Sequence, residues 1–426
     1  MSAPWRIVHF DLADGLEEIP RGDRDLFLIV WLQNLPLGQL EILHEQLPMR
    51  VPELANRIAQ TITPAVGARL FNEGFQPPLP TNIRGLPPPC SGGAPAAGSV
   101  RGALAALARS TSGDCAAPTS GDGASPLRSS VVVCTRDRAE SLRRCLRSLE
   151  KLSPAADEII VVDNAPRTDD TQVVAKEFPR VRYVCEPRAG LDVARNAGAR
   201  ASHGDILAFA DDDVEAHPAW LVNVRAAFAE KDVMAVTGLV LPAELETEAQ
   251  YIFETQWGFN RGFRAKIFDR AWFARELPCA VPADQIGAGA NMAFRREIFE
   301  RVGLFDERLD VGAAGCSGDS EFWYRILAAG WKCRYEPAAV VFHHHRRDEQ
   351  SLQRQLFFYM RGHTAALLVQ FERHNHFGNL RRLLFTLPRH YALTFARSIL
   401  RPHLRHALWP QIAGHFSGIN FYFENR

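Results

Sequence analysis

Gly204-Asp205-Ile206-Leu207-Ala208-Phe209-Ala210-Asp211-Asp212-Asp213 is an apolar run that ends in three carboxylates. Residues 206–210 have the continuous apolar character of a buried strand in a parallel sheet. Asp is a poor strand residue, so the strand is predicted to stop at Asp211. In an open α/β sheet, ligands bind at the carboxyl ends of strands. Three adjacent carboxylates repel one another unless a cation sits between them. Hard divalent cations take oxygen ligands and leave positions for phosphate. The stretch therefore reads as a metal–diphosphate site. The competing reading is a solvated acidic turn before a helix near Pro218.

The flanking sequence favours the first reading. Strands are predicted at 130–135, 158–163, 180–185 and 233–238. Helices are predicted at 139–149, 168–178, 191–201 and 218–228. This alternation implies βαβ units and a parallel, doubly wound sheet with right-handed crossovers. Beyond Pro242 the pattern loosens. Residues 251–268 are aromatic-rich and read as a helix or a mobile loop, and 251–289 as the region that selects an acceptor. A Gly-rich turn at 315–318 precedes a helix at 322–329. Short strands follow at 331–335 and 338–342, ending in His343-His344-His345.

Residues 1–75 read as a small α+β accessory domain. It has a strand at 26–32, a turn at 34–38 and a helix opening at Pro52. Residues 76–128 are rich in Pro, Gly, Ala and Ser and hold no aromatic residue. Such a segment buries too little apolar surface to offset ordering entropy, so it reads as a flexible linker, with a transient helix at 103–109. Residues 129–346 form the α/β domain. Residues 347–426 read as basic amphipathic helices, since positions 346–426 hold 12 Arg and 4 acidic residues.

The formal net charge is +0, which implies no nucleic-acid partner. No apolar run approaches the roughly 20 residues of a membrane span. The start lacks a signal-peptide pattern. Eight cysteines are scattered without a Cys-x-x-Cys pair, as expected for reduced thiols in the cytoplasm.

Five ordered motifs resemble family 2 glycosyltransferases. Cys134-Thr135-Arg136-Asp137-Arg138 resembles their first loop and Val161-Val162-Asp163-Asn164 their second-strand signature. Residues 190–198 resemble their third-helix motif, Asp211-Asp212-Asp213 their DxD element, and Gly318-Asp319-Ser320-Glu321 their acidic catalytic motif. The resemblance implies a GT-A fold and inverting transfer of a sugar from a nucleoside diphosphate donor to an acceptor hydroxyl. It assigns donor binding to Thr135, Arg136, Asp137, Asp163, Arg195, Asp211 and Asp212. It assigns Mg²⁺ or Mn²⁺ to Asp213 and Asp211, with His343 where some members carry a metal-binding His. Asp319 is the expected base, with Glu321 as its runner-up. Many members have Glu-Asp where this chain has Gly318-Asp319.

Each residue also has a plainer reading. Asp163 fits an Asx turn with Asn164. Arg195 fits a surface salt bridge, and Arg138 a solvated helix start. Asp319 and Glu321 suit the first turn of a helix anyway. At whole-chain level, a nucleotidyltransferase is one alternative, although the first loop lacks glycine. A non-catalytic nucleotide-sugar binder is another, but it would not need Asp319. The basic tail adds a peripheral contact with the inner face of the plasma membrane and a glycan or lipid-linked acceptor to these expectations.

Overall fold

The computed structural model describes residues 4–71, 127–400 and 404–426. The expected linker and transient helix lie outside them, apart from Leu127 and Arg128. The described residues separate into two compact units.

The first unit contains 4–71 with Pro242–Gly258 and Gly262–Ala265. Its sheet is β1 (Arg6–Asp11), β2 (Leu26–Leu32) and β3 (Leu35–Ile42), followed by α1 (Val51–Phe71). Every residue of β2 is buried, as its unbroken apolar sequence requires. β2 pairs in parallel with β1 and antiparallel with β3. The turn falls earlier than the expected 34–38: Leu35 already pairs with Leu32, and Gln33 takes a left-handed conformation (φ 56). An irregularity between Val30 and Trp31 lets Pro36 enter the strand. In the same unit, Tyr251 stacks on Trp5 at 4.6 Å, and its hydroxyl donates to Glu41 at 3.0 Å. Tyr251, expected to begin the acceptor-selecting region, thus belongs to the packing of this unit.

The second unit contains 127–241, Phe259–Arg261 and Lys266–Arg426. The elements β4 (Ser129–Thr135), α2 (Ala139–Leu149), β5 (Glu158–Asn164), α3 (Asp170–Lys176), β6 (Val181–Glu186), α4 (Leu191–Ala201) and β7 (Ile206–Asp211) alternate as expected. These strands lie in the order β7-β4-β5-β6, all parallel. The chain steps outward from β4 to β6, then returns to place β7 on the other side of β4. That reversal opens a crevice at the carboxyl ends of β4 and β7. Register sets Asp211 beside Cys134 and Asp163 beside Thr135, so three of the motifs end level with one another.

The sheet continues with β8 (Val214–Ala216), α5 (Trp220–Ala227), β9 (Val233–Pro242), β10 (Lys266–Phe268), β11 (Asn291–Arg295) and β12 (Lys332–His343). β11 runs antiparallel to both β7 and β9, so the sheet is mixed beyond its parallel half. β12 is one strand where two were expected; β9 and β10 flank it and hold it extended through Pro337. Leu142, Leu146, Trp220 and Leu221 pack on the β4–β5–β7 core. Elsewhere Phe294, Phe305 and Phe322 gather at centroid distances of 4.5–5.8 Å. Each such buried ring contributes roughly 1.5–3 kcal/mol.

Phe322 lies on α6 (Gly318–Ala328), which starts four residues earlier than predicted. The helices α7 (Glu349–His374), α8 (Leu387–Leu400) and α9 (Leu404–Glu424) complete the unit. One π-helical turn, Arg382–Thr386, precedes α8. The basic tail, expected as a separate region from 347, therefore belongs to the same compact unit as the sheet.

Candidate active site

At the end of β4, the Thr135 hydroxyl donates to Asp212 at 2.6 Å. Two residues further, Asp137 adopts φ 54 and accepts from the Arg167 backbone and guanidinium at 3.0 and 2.8 Å. These bonds turn the loop so that Arg138 points back over the sheet. Arg138 donates to Asp212 at 2.5 Å and to Asp213 at 2.8 Å. The expected solvated arginine is thus a clamp on the triplet. Arg136 stays exposed, 3.9 Å from Asp137.

The triplet divides its labour. Asp212 and Asp213 are buried, while the Asp211 side chain is one-third exposed at 33%. Burial and the neighbouring Asp213 and Asp212 charges push the Asp211 carboxyl up to about 7, against the pull of Arg195. Pairing of β8 with β12 sets Val214 opposite His343 and brings Asp213 Oδ1 to 3.4 Å from His343 Nε2. Burial opposes ionisation of Asp213, yet its carboxyl is held down to about 2. His343 assists only when protonated, and its own burial lowers it to about 4. At neutral pH the cations holding Asp213 ionised are therefore Arg138, which is hydrogen-bonded to it, and Arg346. His343 Nδ1 meets His345 Nδ1 at 2.9 Å, on the shared face that strand alternation predicts, while His344 pairs with Glu215.

A second cluster lies beside the first. Arg195 is buried rather than at the surface. It donates to Asp192 at 2.9 Å and to Asp310 at 2.5 Å, and stands 4.0 Å from Asp211. Gly289 separates Arg195 from Asp319: a side chain there would meet Arg195 Nη2 at 2.8 Å and Asp319 Oδ2 at 3.0 Å. Asp319 sits in the first turn of α6, where its Oδ1 accepts from the Ser320 N–H at 2.6 Å. Burial and the Asp310 charge raise its carboxyl, against Arg195. Residue 318 must be glycine here, because a side chain would overlap the Asp192 carboxylate. The acid missing from position 318 thus has a counterpart in Asp192, delivered by α4.

Glu321 is not brought to this cluster. It is fully buried on another face of α6, where Arg325 Nε donates to it at 2.9 Å. Asp163 is also fully buried; Tyr183 donates to its Oδ2 at 2.8 Å, and Thr171 also hydrogen-bonds to the carboxylate. Among the described residues, no group of three or more His, Cys, Asp or Glu is arranged to hold a metal ion.

The family model for glycosyl transferase family 2 matches residues 130–303. Residues 130–303 are thus similar to a family 2 glycosyltransferase domain. The matched segment runs from β4 through α4 and the triplet to β11, and the mixed sheet with its flanking helices is the GT-A fold. Over 233 residues the chain is 24% identical to glycosyltransferase AglE of Haloferax volcanii, covering 53% of this chain and 70% of that one. Over 206 residues it is 31% identical to N-acetylgalactosaminyltransferase 6 of Drosophila melanogaster, covering 44% of this chain and 29% of that one. A solved mannosyltransferase from Pyrobaculum calidifontis, in complex with GDP-Man and Mn²⁺, superimposes with a TM-score of 0.48 at 18% identity, over 71% of this chain and 88% of that one.

Sequence reading of the glycosyltransferase domain missed three groups. Arg138 was set aside, although it stands inside a quoted motif. Asp192 was not singled out, although its spacing from Arg195 is that of a helical ion pair. Asp310 carried no local signal, because it reaches Arg195 across 115 residues of chain.

Proposed function

We propose that this chain is an inverting glycosyltransferase that moves a sugar from a nucleoside diphosphate donor to an acceptor hydroxyl, in glycan, polysaccharide or glycolipid synthesis. The observation that carries the reading is the pairing of two acidic clusters at one crevice. The triplet at the end of β7 faces the donor, and Asp319, across Gly289 from Arg195, faces the acceptor. Asp163, beside Thr135 in the β4–β5 register, takes the base or ribose, with Arg136 and Asp137 along the same strand ends. Asp211 and Asp212 take the ribose side, and Arg195 fixes the carboxylates around it.

A divalent ion fits the donor set. Asp213 Oδ1 and a neutral His343 Nε2 lie 3.4 Å apart, with the partly exposed Asp211 nearby. Mg²⁺ sites commonly use one or two protein ligands, water and substrate phosphates, which suits a site without three convergent side chains. Bound there, Mg²⁺ or Mn²⁺ would neutralise charge developing on the leaving diphosphate. The protein's own work is separate. Arg138 and Arg346 keep Asp213 ionised, and Asp319 accepts the acceptor hydroxyl proton at Oδ2. Attack by that hydroxyl from the side opposite the leaving group inverts the anomeric carbon. Glu321, tied to Arg325, serves the fold.

A screen of UDP-, GDP- and dTDP-sugars with Mn²⁺ by thermal shift identifies the donor, since a ligand of the folded state raises its midpoint. Asp319→Asn then keeps donor binding and loses transfer by about 10²-fold or more. EDTA-treated protein loses turnover, and Mn²⁺ restores it. Full turnover in metal-free protein, or normal transfer by Asp319→Asn, removes the corresponding role.

A second reading concerns location. No helix among the described residues is long and apolar enough to cross a membrane. Between Asn375 and Phe423 there is no acidic residue, against six Arg. Trp409, Phe416 and Phe423 recur every seven residues along α9 and are 57%, 65% and 63% exposed. This basic, aromatic surface suits a peripheral position on an anionic bilayer, at the cytoplasmic face, with a lipid-linked acceptor.

A further inference from the structure

Two of the three histidines at the end of β12 touch each other directly. His343 Nδ1 and His345 Nδ1 lie 2.9 Å apart, so one N–H sits between them and one ring must accept. Both residues are buried. Several contacts fix the pair in place. Val214 of β8 pairs with His343, and the His344 N–H donates to the Asp213 carbonyl at 3.0 Å. The Phe259 ring stands across both imidazoles, with centroids 5.2 Å from His343 and 6.4 Å from His345. The His344 ring turns the other way, to Glu215.

The neutral pair has two proton arrangements, and the far nitrogen of His343 tells them apart. That nitrogen, Nε2, lies 3.4 Å from Asp213 Oδ1. If His345 donates, the single proton of His343 must be on Nε2, pointing at Asp213. Nε2 then has no lone pair to offer. If His343 donates from Nδ1, its Nε2 lone pair faces the Asp213 side and is open to a cation. A neutral imidazole ligates a metal only through its unprotonated nitrogen. In metal sites the other N–H is held by an acceptor, which fixes tautomer and ring orientation. The acceptor at hand for His343 Nδ1 is a second imidazole.

We propose that His345 is a positioning residue: its Nδ1 accepts from His343 Nδ1–H and so holds the His343 Nε2 lone pair toward the divalent-ion position beside Asp213. The inference rests on the metal reading above and deepens it, by assigning a residue that acts only through His343. The reverse hydrogen bond, with His345 donating, closes Nε2 to a cation.

The test compares two substitutions of one shape. His345→Asn places an amide oxygen where Nδ1 stands, and His345→Leu has the same branching without an acceptor. Mn²⁺ alone is titrated into each full chain, and free Mn²⁺ is read from its paramagnetic resonance signal. His345→Leu weakens Mn²⁺ binding about tenfold or more, the usual scale for the partner of a metal-bound histidine. His345→Asn restores most of the affinity. His344→Ala, whose ring faces away, leaves it unchanged. In wild-type protein saturated with Mg²⁺, nitrogen NMR spectra of the imidazoles show His343 protonated at Nδ1. Equal loss in His345→Asn and His345→Leu means that the ring only fills space, and overturns the proposal. So does wild-type affinity in His345→Leu. A His343 protonated at Nε2 in the Mg²⁺-saturated wild type overturns it as well, and that spectrum decides even where both substituted chains fail to fold. Binding of UDP-, GDP- and dTDP-sugars is followed in parallel by thermal shift. Wild-type protein that binds one of these sugars but no Mn²⁺ removes the ion and the role of His345 together, while the transferase reading stands.

Discussion

Gly318 and Asp192 share one space. The Asp192 carboxylate lies where a side chain at 318 would project, and its Oδ2 has no hydrogen-bond partner among the described residues. Gly318→Ala is expected to cost about 1–3 kcal/mol, the usual range for overpacking. It also displaces the first turn of α6 and with it Asp319. Thermal denaturation and transfer rate should fall together; an unchanged rate would show that Asp319 is placed independently of Asp192. At this scale the sequence was legible where a residue acts through its neighbours along the chain. Asp211, Asp213 and Asp319 stand out by run, spacing and motif. Asp310 and Arg138 did not, because their meaning lies in contacts across the fold. Glu321, the runner-up for the base, is buried against Arg325. A carboxylate two residues from Asp319 looks like its partner, yet two helical steps turn it by about 200°, away from the crevice.

At the scale of elements, alternation and strand ends were readable because the period of the apolar pattern carries them. The antiparallel entry of β11 between β7 and β9 was not, since strand direction leaves no mark on a buried apolar run. The connection between β11 and α6 depends on Asp306. It accepts from Arg308 Nη2 at 2.8 Å and from Arg373 of α7 at 2.6 Å, and so anchors the loop that presents Asp310. Burial works against its charge, but the Arg308 hydrogen bonds prevail and hold the carboxyl down to about 2, from an ordinary 3.8. A depressed carboxyl contributes stability above its unfolded value and loses it as pH falls towards the folded one. Asp306→Asn should therefore be less stable at pH 7 by about 2 kcal/mol. The deficit should narrow below about pH 4, as the wild-type carboxyl protonates. Urea midpoints of both chains at pH 7, 4 and 3 check this; a gap that stays constant with pH would mean the charge contributes nothing.

At the scale of the molecule, the tail's basic and amphipathic character was plain from composition and spacing, but which of its aromatic residues stay exposed was not. The structure divides that character between a buried side, where Leu408 and Tyr422 join the helical core, and an open side bearing Trp409, Phe416 and Phe423. Full-length protein should pellet with phosphatidylglycerol vesicles and much less with phosphatidylcholine, more weakly as salt rises. Replacing Trp409, Phe416 and Phe423 together by Ser should abolish pelleting while leaving donor binding intact. Equal pelleting of both proteins would end the docking idea. Arg195 has a consequence of another kind. One guanidinium answers Asp192 and Asp310 and stands near Asp211, so its loss strands several buried acids at once, at about 3–5 kcal/mol for each broken pair. Such a hub constrains descent as well as chemistry. In a saturation library sorted for folded protein alone, with no selection for catalysis, position 195 should tolerate almost nothing, whereas exposed Arg136 should drift freely. Variants that do lose Arg195 should survive mainly when Asp192 or Asp310 has changed in the same molecule.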